Sequence, residues 1–291
     1  MAITAALVKD LRERTGSGMM ECKKALVETD GDVDAAIDLM RKKGALKAGA
    51  KSSRIAAEGL VSIAKEGNKI AIVEVNSETD FVAKGDDFIG FVDALAALVM
   101  KHKPADLDAL SSLKLADTDV ETARKELIAK IGENINIRRF SSIDSSNVVS
   151  DYLHSNSRVG TIIEVEGGDE GLARDIAMHI TASKPICISE SEVPEEVKNK
   201  EKEIFVSQAA ESGKPANIVE KMVQGKMNKF LKEITLLGQS FIKDTDKTIA
   251  QLLADSNATV KSFTRYEVGE GIEKKVENFA EEVKAQVAQT S

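Results

Sequence analysis

The residue types that carry catalytic chemistry are sparse in this chain and wrongly spaced for it. Its three histidines, His102, His154 and His179, have no histidine at i, i+4 and no cysteine nearby, so they form no metal-ligand set. His179 falls on an apolar helical stripe, where a histidine is more often a satisfied core residue than a ligand. His154 ends a predicted strand and is placed for an interface. Cys22 fits an apolar stripe, and with Cys187 it gives neither a disulfide framework nor metal spacing, so a reducing compartment is the default. No GxSxG elbow, GxxxxGKS/T loop or GxGxxG loop occurs, and Gly269-Glu270-Gly271-Ile272 lacks the third glycine and the βαβ setting. Asp86-Asp87 falls in a predicted first helical turn, where carboxylates favour the helix dipole. The reading is of a protein that is not an enzyme and needs no cofactor and no metal.

What remains is recognition chemistry, concentrated in Glu74-Val75-Asn76-Ser77-Glu78-Thr79-Asp80-Phe81-Val82-Ala83-Lys84. Lys69 to Val75 alternates like a strand, with Ala71, Val73 and Val75 on one face and Ile70 and Ile72 on the other. Phe88, Phe91, Val92, Leu95, Leu98 and Val99 follow at helical spacing. The stretch is therefore a strand-to-helix corner, with Thr79 and Asp80 as N-cap types. On local chemistry alone Phe81, just behind the cap, reads as a staple into the core rather than an exposed probe.

Composition limits what such a corner can meet. The net charge is −8, the pI is about 5.2, aromatics are 4% and tryptophan is absent. That disfavours a basic surface or a stacking platform, so no direct nucleic-acid partner is expected. The longest apolar run, Ile89 to Met100, is interrupted by Asp93 and too short for a bilayer, and no signal-peptide h-region is seen. The expectation is a cytoplasmic protein with no membrane partner.

The elements that must position the corner read as an α+β fold. Residues 1–54 give three short helices: Leu7, Val8 and Leu11 in the first, Met19, Cys22, Ala25 and Leu26 in the second, and Val33, Ala36, Ile37 and Met40 in the third, which Gly44 is expected to end. Lys47, Lys51 and Arg54 mark a helical or flexible linker. Residues 55–145 hold a hairpin around Glu66-Gly67-Asn68, the helix of about 86–102, a second helix that Gly132-Glu133-Asn134 stops, and a further strand. Residues 146–185 and 232–268 repeat that plan weakly: hairpin, Glu164-Val165 where the first copy has Glu74-Val75, then a helix, but nothing equivalent to Phe81. The second copy lacks an aromatic at its corner, so the architecture itself does not demand one. A charged helical hairpin occupies 186–231, and 269–291 ends in a helix with Ile272, Val276, Phe279 and Val283 on one face. A chain of this kind is built to touch another macromolecule at several points.

The motifs LRERTGSGMMECKKAL (11–26), Thr79-Asp80-Phe81-Val82, KIGENINIRR (130–139), AMHITASKP (177–185) and RYEVGEGIEKK (265–275) resemble, in order and over nearly the whole chain, the bacterial elongation factor Ts family. These are guanine-nucleotide exchange factors of the GTPase elongation factor Tu. The resemblance implies an N-terminal three-helix domain of ubiquitin-associated type, a core of two similar antiparallel-sheet-plus-helix subdomains, an inserted hairpin and a C-terminal helix. It implies that Thr79, Asp80, Phe81 and Val82 insert beside the partner's nucleotide and Mg²⁺ site, with Phe81 pointing outward. It implies partner contacts from Arg12, Met19, Met20 and Lys23 in the N-terminal helices, and from His154 and Ile242 in the second subdomain. Lys243 stands where the family pattern leads one to expect an apolar residue. The 186–231 hairpin corresponds to a dimerisation element, which makes a homodimer an expectation as well. The alternative is a protein-binding scaffold that changes nothing in its partner.

Overall fold

Side-chain caps set most of the helix starts. In the computed structural model, which describes residues 3–211 and 215–273, Thr4, Asp32, Thr79, Asp106, Asp119, Asp169 and Thr248 each accept an N–H from the first turn of the helix they open. The first three helices, α1 (Ala5–Thr15), α2 (Met19–Glu28) and α3 (Val33–Lys51), close on a small core of Val8, Leu11, Cys22, Ala25, Leu26 and Ala36. The expectation that Gly44 ends the third helix is corrected: α3 runs straight through it to Lys51. A Cβ at Gly44 would meet the Ala129 Cβ at 3.1 Å, so the glycine serves a close helix crossing and not a stop. The Lys51 end of the linker is thus helical.

Next come β1 (Glu58–Glu66), β2 (Lys69–Ser77), α4 (Asp80–Ala83), α5 (Asp86–His102), α6 (Leu107–Ser111), β3 (Lys114–Leu115), β4 (Thr118–Asp119), α7 (Val120–Ile131) and β5 (Asn136–Asp144). The chain continues through β6 (Val148–Leu153), β7 (Val159–Glu166), α8 (Glu170–Ser183), α9 (Glu195–Ala210), α10 (Ala216–Ile234), β8 (Ser240–Phe241), β9 (Asp244–Thr248), α11 (Ile249–Asp255) and β10 (Thr259–Glu267). Two three-stranded antiparallel sheets result, ordered β1-β2-β5 and β10-β7-β6. The fold is α+β, as the patterning predicts.

The sheets face one another. Ile70 and Ile72 of β2 pack with Val61, Val149, Ile162 and Val268 between them. The opposite face of β2, with Ala71, Val73 and Val75, packs under Phe88, Val92, Leu95 and Val99 of α5. The second sheet uses Ile163 and Val165 in the same way against Ile176 and Ile180 of α8 and against Ile249 and Leu253 of α11. Each central strand is apolar on both faces because each face is covered. β2 therefore holds its C-terminal corner on a strand anchored from two sides.

One ionic cluster ties the sheets together. Glu74 is fully buried in β2 and accepts from Arg138 at 2.9 Å, Arg139 at 2.6 Å, Asn76 at 3.1 Å and the Gly269 N–H at 2.9 Å. Arg139 lies 4.4 Å over the Tyr266 ring and reaches Glu270 at 3.2 Å. Gly269 has φ +74, and a Cβ there would sit 2.3 Å from the Ala57 carbonyl oxygen, so only glycine brings its N–H to Glu74. Glu164, the matching residue in β7, is served by neutral partners instead, Ser145 at 2.5 Å and Asn147 at 2.8 Å.

The α9–α10 hairpin closes on its own seam of Phe205, Ala209, Val219, Val223, Met227 and Phe230, with the two phenyl rings edge to face at 6.3 Å. The sequence places the hairpin turn at Ser212-Gly213-Lys214-Pro215; its first three residues lie outside the described residues, and Pro215 directly precedes α10. The expected terminal helix lies outside the described residues from residue 274 onward. Among the described residues no helix is long and apolar enough to cross a membrane.

Candidate functional site

The corner between β2 and α5 is shaped by a single helical turn, α4. Ser77 ends the strand and donates its hydroxyl to the Thr79 carbonyl at 2.9 Å. Thr79, extended at φ −122 and ψ 158, caps α4 by accepting the Val82 N–H at 3.4 Å. Gly85 donates to the Val82 carbonyl at 3.0 Å, and α5 begins at the next residue. In so short a turn only one side can face the core. Ala83 and Val82 take that side, against the cluster that holds Phe88 and Val92. Phe81 is left on the outer side and is 83% exposed. Local chemistry alone favours a staple, and that reading fails because Val82 and Ala83 fill the inward positions.

Charges flank the ring. Lys84 donates to Asp80 at 2.6 Å, and this bond holds the Asp80 carboxyl below the usual carboxylate range. Glu58 is ion-paired with Arg158 from the β6–β7 turn, and these two residues line a shallow recess with Thr79, Asp80 and Phe81. Thr79 is also bound from a third element. Its N–H and its hydroxyl both donate to Glu133, at 3.0 and 2.7 Å. Sequence reading treats Gly132-Glu133-Asn134 only as a helix stop, since a contact across 54 positions has no local signature. The one available signal is that an acidic residue follows Gly132, the left-handed C-cap.

The other expected contact residues sit on other elements. Arg12 in α1 and Met19, Met20 and Lys23 in α2 are exposed, the two methionines at 57% and 66%. His154 is exposed just past β6 and pairs through Nδ1 with the Asn156 side chain at 3.0 Å. Ile242, 39% exposed, lies in the turn between β8 and β9. Lys243 beside it is ion-paired with Asp175 at 2.6 Å, so its charge is partnered within the chain. The structure thus brings Thr79 to Val82 into one corner, sets His154 in the same β6–β7 turn as the Arg158 that lines the recess there, and carries Ile242 in the β8–β9 turn and Arg12, Met19, Met20 and Lys23 on α1 and α2.

His179 supports the Ile242 turn from beneath. Fully buried, it accepts the Ile242 N–H at Nδ1 (3.3 Å) and faces Gln239 Oε1 through Nε2 at 3.0 Å, which places its proton on Nε2. Ser183 Oγ is 3.5 Å from Nδ1, and the Phe241 ring is the neighbouring aromatic. Burial pushes the imidazole below its ordinary value, and the Gln239 bond works against that. The unfolded chain therefore takes up this proton first. The stability contribution is full above the ordinary histidine pKa of about 6.5 and is lost as pH falls from there through the depressed folded value. Urea midpoints are expected to fall between pH 7 and pH 5, with a smaller fall for His179→Gln. An identical pH slope in that variant would refute the assignment.

Among the described residues no group of three or more His, Cys, Asp or Glu is placed to hold a metal ion. Residues 78–270 match the family model described as Elongation factor TS. The chain is 62% identical over 289 residues to the elongation factor Ts of Alkalilimnicola ehrlichii, covering 98% of this chain and 99% of that one. It is 56% identical over 290 residues to that of Thioalkalivibrio sulfidiphilus, covering 98% and 99%. It is 57% identical over 291 residues to that of Methylococcus capsulatus, covering 99% of each.

Proposed function

This chain belongs to the elongation factor Ts family of translation factors, and from that premise we propose that it binds elongation factor Tu in its GDP form and promotes GDP release without chemical catalysis. The observation that carries the reading is Phe81, a large apolar ring held outward on a fixed corner with an acidic neighbour. A bound guanine nucleotide is held by a phosphate loop and by a Mg²⁺ that bridges its phosphate oxygens and protein ligands. A factor that binds the opened, nucleotide-free state better than the GDP state must weaken GDP by the same ratio. Phe81 supplies part of that difference by burying its ring only in the opened partner, with Asp80 and the solvent-facing edge of the half-buried Val82 beside it. GTP then rebinds.

The two other surfaces act as grips. Arg12, Met19, Met20 and Lys23 offer thioethers between cations, a combination suited to an apolar partner patch with an acidic rim. His154 and Ile242 form the contact of the second subdomain. Ile204, Val206 and Ile218 stay exposed after the hairpin seam has closed, and a second copy of the hairpin is the occupant the family suggests for them.

Release of a fluorescently labelled GDP from elongation factor Tu tests the reading. Exchange activity gives a rate that rises with factor concentration to a plateau, whereas a scaffold binds and leaves the rate unchanged. In the same assay Met20→Ala is expected to raise the half-saturating concentration about tenfold, near 1.4 kcal/mol, at an unchanged plateau. An equal half-saturating concentration would remove Met20 from the grip.

A further inference from the structure

We infer that Glu133 is a positioning residue for exchange: it fixes the Thr79 cap, and through it the single orientation in which Phe81 is presented. This rests on the reading of Phe81 given above. One carboxylate takes both donors of one residue, Oε2 the Thr79 N–H at 3.0 Å and Oε1 the Thr79 hydroxyl at 2.7 Å. A hydroxyl has one proton. Once it is given to Glu133, the oxygen's lone pairs are left to accept, and they do so from the Val82 N–H. The direction of the cap is thereby set from outside the turn.

α4 needs such a hold. Four residues have no helical cooperativity of their own. Their cap bond is long at 3.4 Å, whereas the bonds to Glu133 are short and charge-assisted. Glu133 is itself held. Gly132 turns the chain at the end of α7 with φ +91, and its carbonyl accepts from Lys51. Asn134 donates its N–H to Glu78 at 2.6 Å and its side-chain amide to the Arg54 carbonyl at 2.8 Å. The turn 132–134 is thus fastened on one side to the corner at Glu78 and Thr79. On the other it is fastened to Lys51, the last residue of α3, and to Arg54 just beyond it.

A ring that spends only part of its time in the productive orientation drives release in proportion to that fraction. Removing the carboxylate therefore lowers the plateau of stimulated GDP release and leaves the grips, and so the half-saturating concentration, in place. A merely structural loss reduces the active concentration of factor and moves the half-saturating point instead.

The experiment titrates the full chain and its variants against elongation factor Tu loaded with labelled GDP. Glu133→Ala is expected to lower the plateau about tenfold with the half-saturating concentration within about twofold of wild type. Glu133→Gln, which keeps one acceptor, recovers part of the loss. Thr79→Val, which keeps shape and loses the hydroxyl, matches Glu133→Ala, and Thr79→Ser restores the plateau. The double variant Glu133→Ala/Thr79→Val is no worse than the lower single, because both break the same hydroxyl–carboxylate bond that directs the cap. A wild-type plateau for Glu133→Ala alongside a lowered one for Phe81→Ala overturns this inference alone, as do additive losses in the double variant. A wild-type plateau for Phe81→Ala overturns the reading on which it rests. If Glu133→Ala melts early, Thr79→Val decides.

Discussion

Phe81→Ala is expected to lower the plateau of stimulated GDP release about thirtyfold while leaving the thermal midpoint of the free chain unchanged. The ring is 83% exposed, so its removal takes almost nothing from the core, and surface substitutions of that kind stay within about 0.5 kcal/mol. Burying a phenyl group in the partner is worth about 2 kcal/mol, which corresponds to about thirtyfold. Because the proposed burial occurs only in the opened state, the loss is expected in the rate of release and not in initial capture. The half-saturating concentration, which we assign to the surfaces around Met20 and Ile242, is expected to move little. Phe81→Leu, which keeps much of the apolar area, falls between the two. Thermal unfolding alongside the release titration checks both halves. A wild-type plateau would remove the ring from exchange, and a large drop in midpoint would show that it serves the fold.

The largest effect on stability is expected at Glu74, away from the corner. Glu74→Ala leaves Arg138 and Arg139 without their shared carboxylate and the Gly269 N–H without its acceptor. Breaking a buried ion pair from one side costs about 3–5 kcal/mol. The two guanidinium groups are only partly buried and regain some water, so the lower end of about 3 kcal/mol applies. That lowers the thermal midpoint by several degrees. Glu164→Ala, whose partners are neutral, is expected to cost about 1 kcal/mol, because neutral hydrogen bonds contribute less. The contrast between the two variants is the measurement. Equal shifts would mean that charge at Glu74 adds nothing to the tie between the sheets.

How much of this was legible in the sequence depends on the range of each interaction. Thr4, Asp32, Thr79 and Thr248 are caps whose partners lie three residues away, and local pattern locates them. The strand alternation of 69–75 is likewise local, and both of its faces are apolar because sheets and helices cover both. Gly44 misleads because its reason is Ala129, on another helix. Glu74 reads only as half of a repeated Glu-Val pair. Its burial among Arg138, Arg139 and Gly269 depends on packing across the sheets. The orientation of Phe81 is a borderline case. Its type alone marks a staple, the family resemblance implies an outward ring, and the inward placement of Val82 and Ala83 supplies the physical reason for the outward one. Glu133 is invisible locally for the same reason as Gly44, since what it binds is a long way off in sequence.

The central claim is that the chain distinguishes two states of elongation factor Tu. The most direct measurement is calorimetric titration of the chain into nucleotide-free and GDP-loaded elongation factor Tu, with GDP affinity measured in the presence and absence of the chain. The predicted result is tighter binding to the nucleotide-free form, by the same ratio by which the chain weakens GDP. Equal affinity for the two forms would contradict the account, because a ligand that does not discriminate between two states cannot shift one to the other.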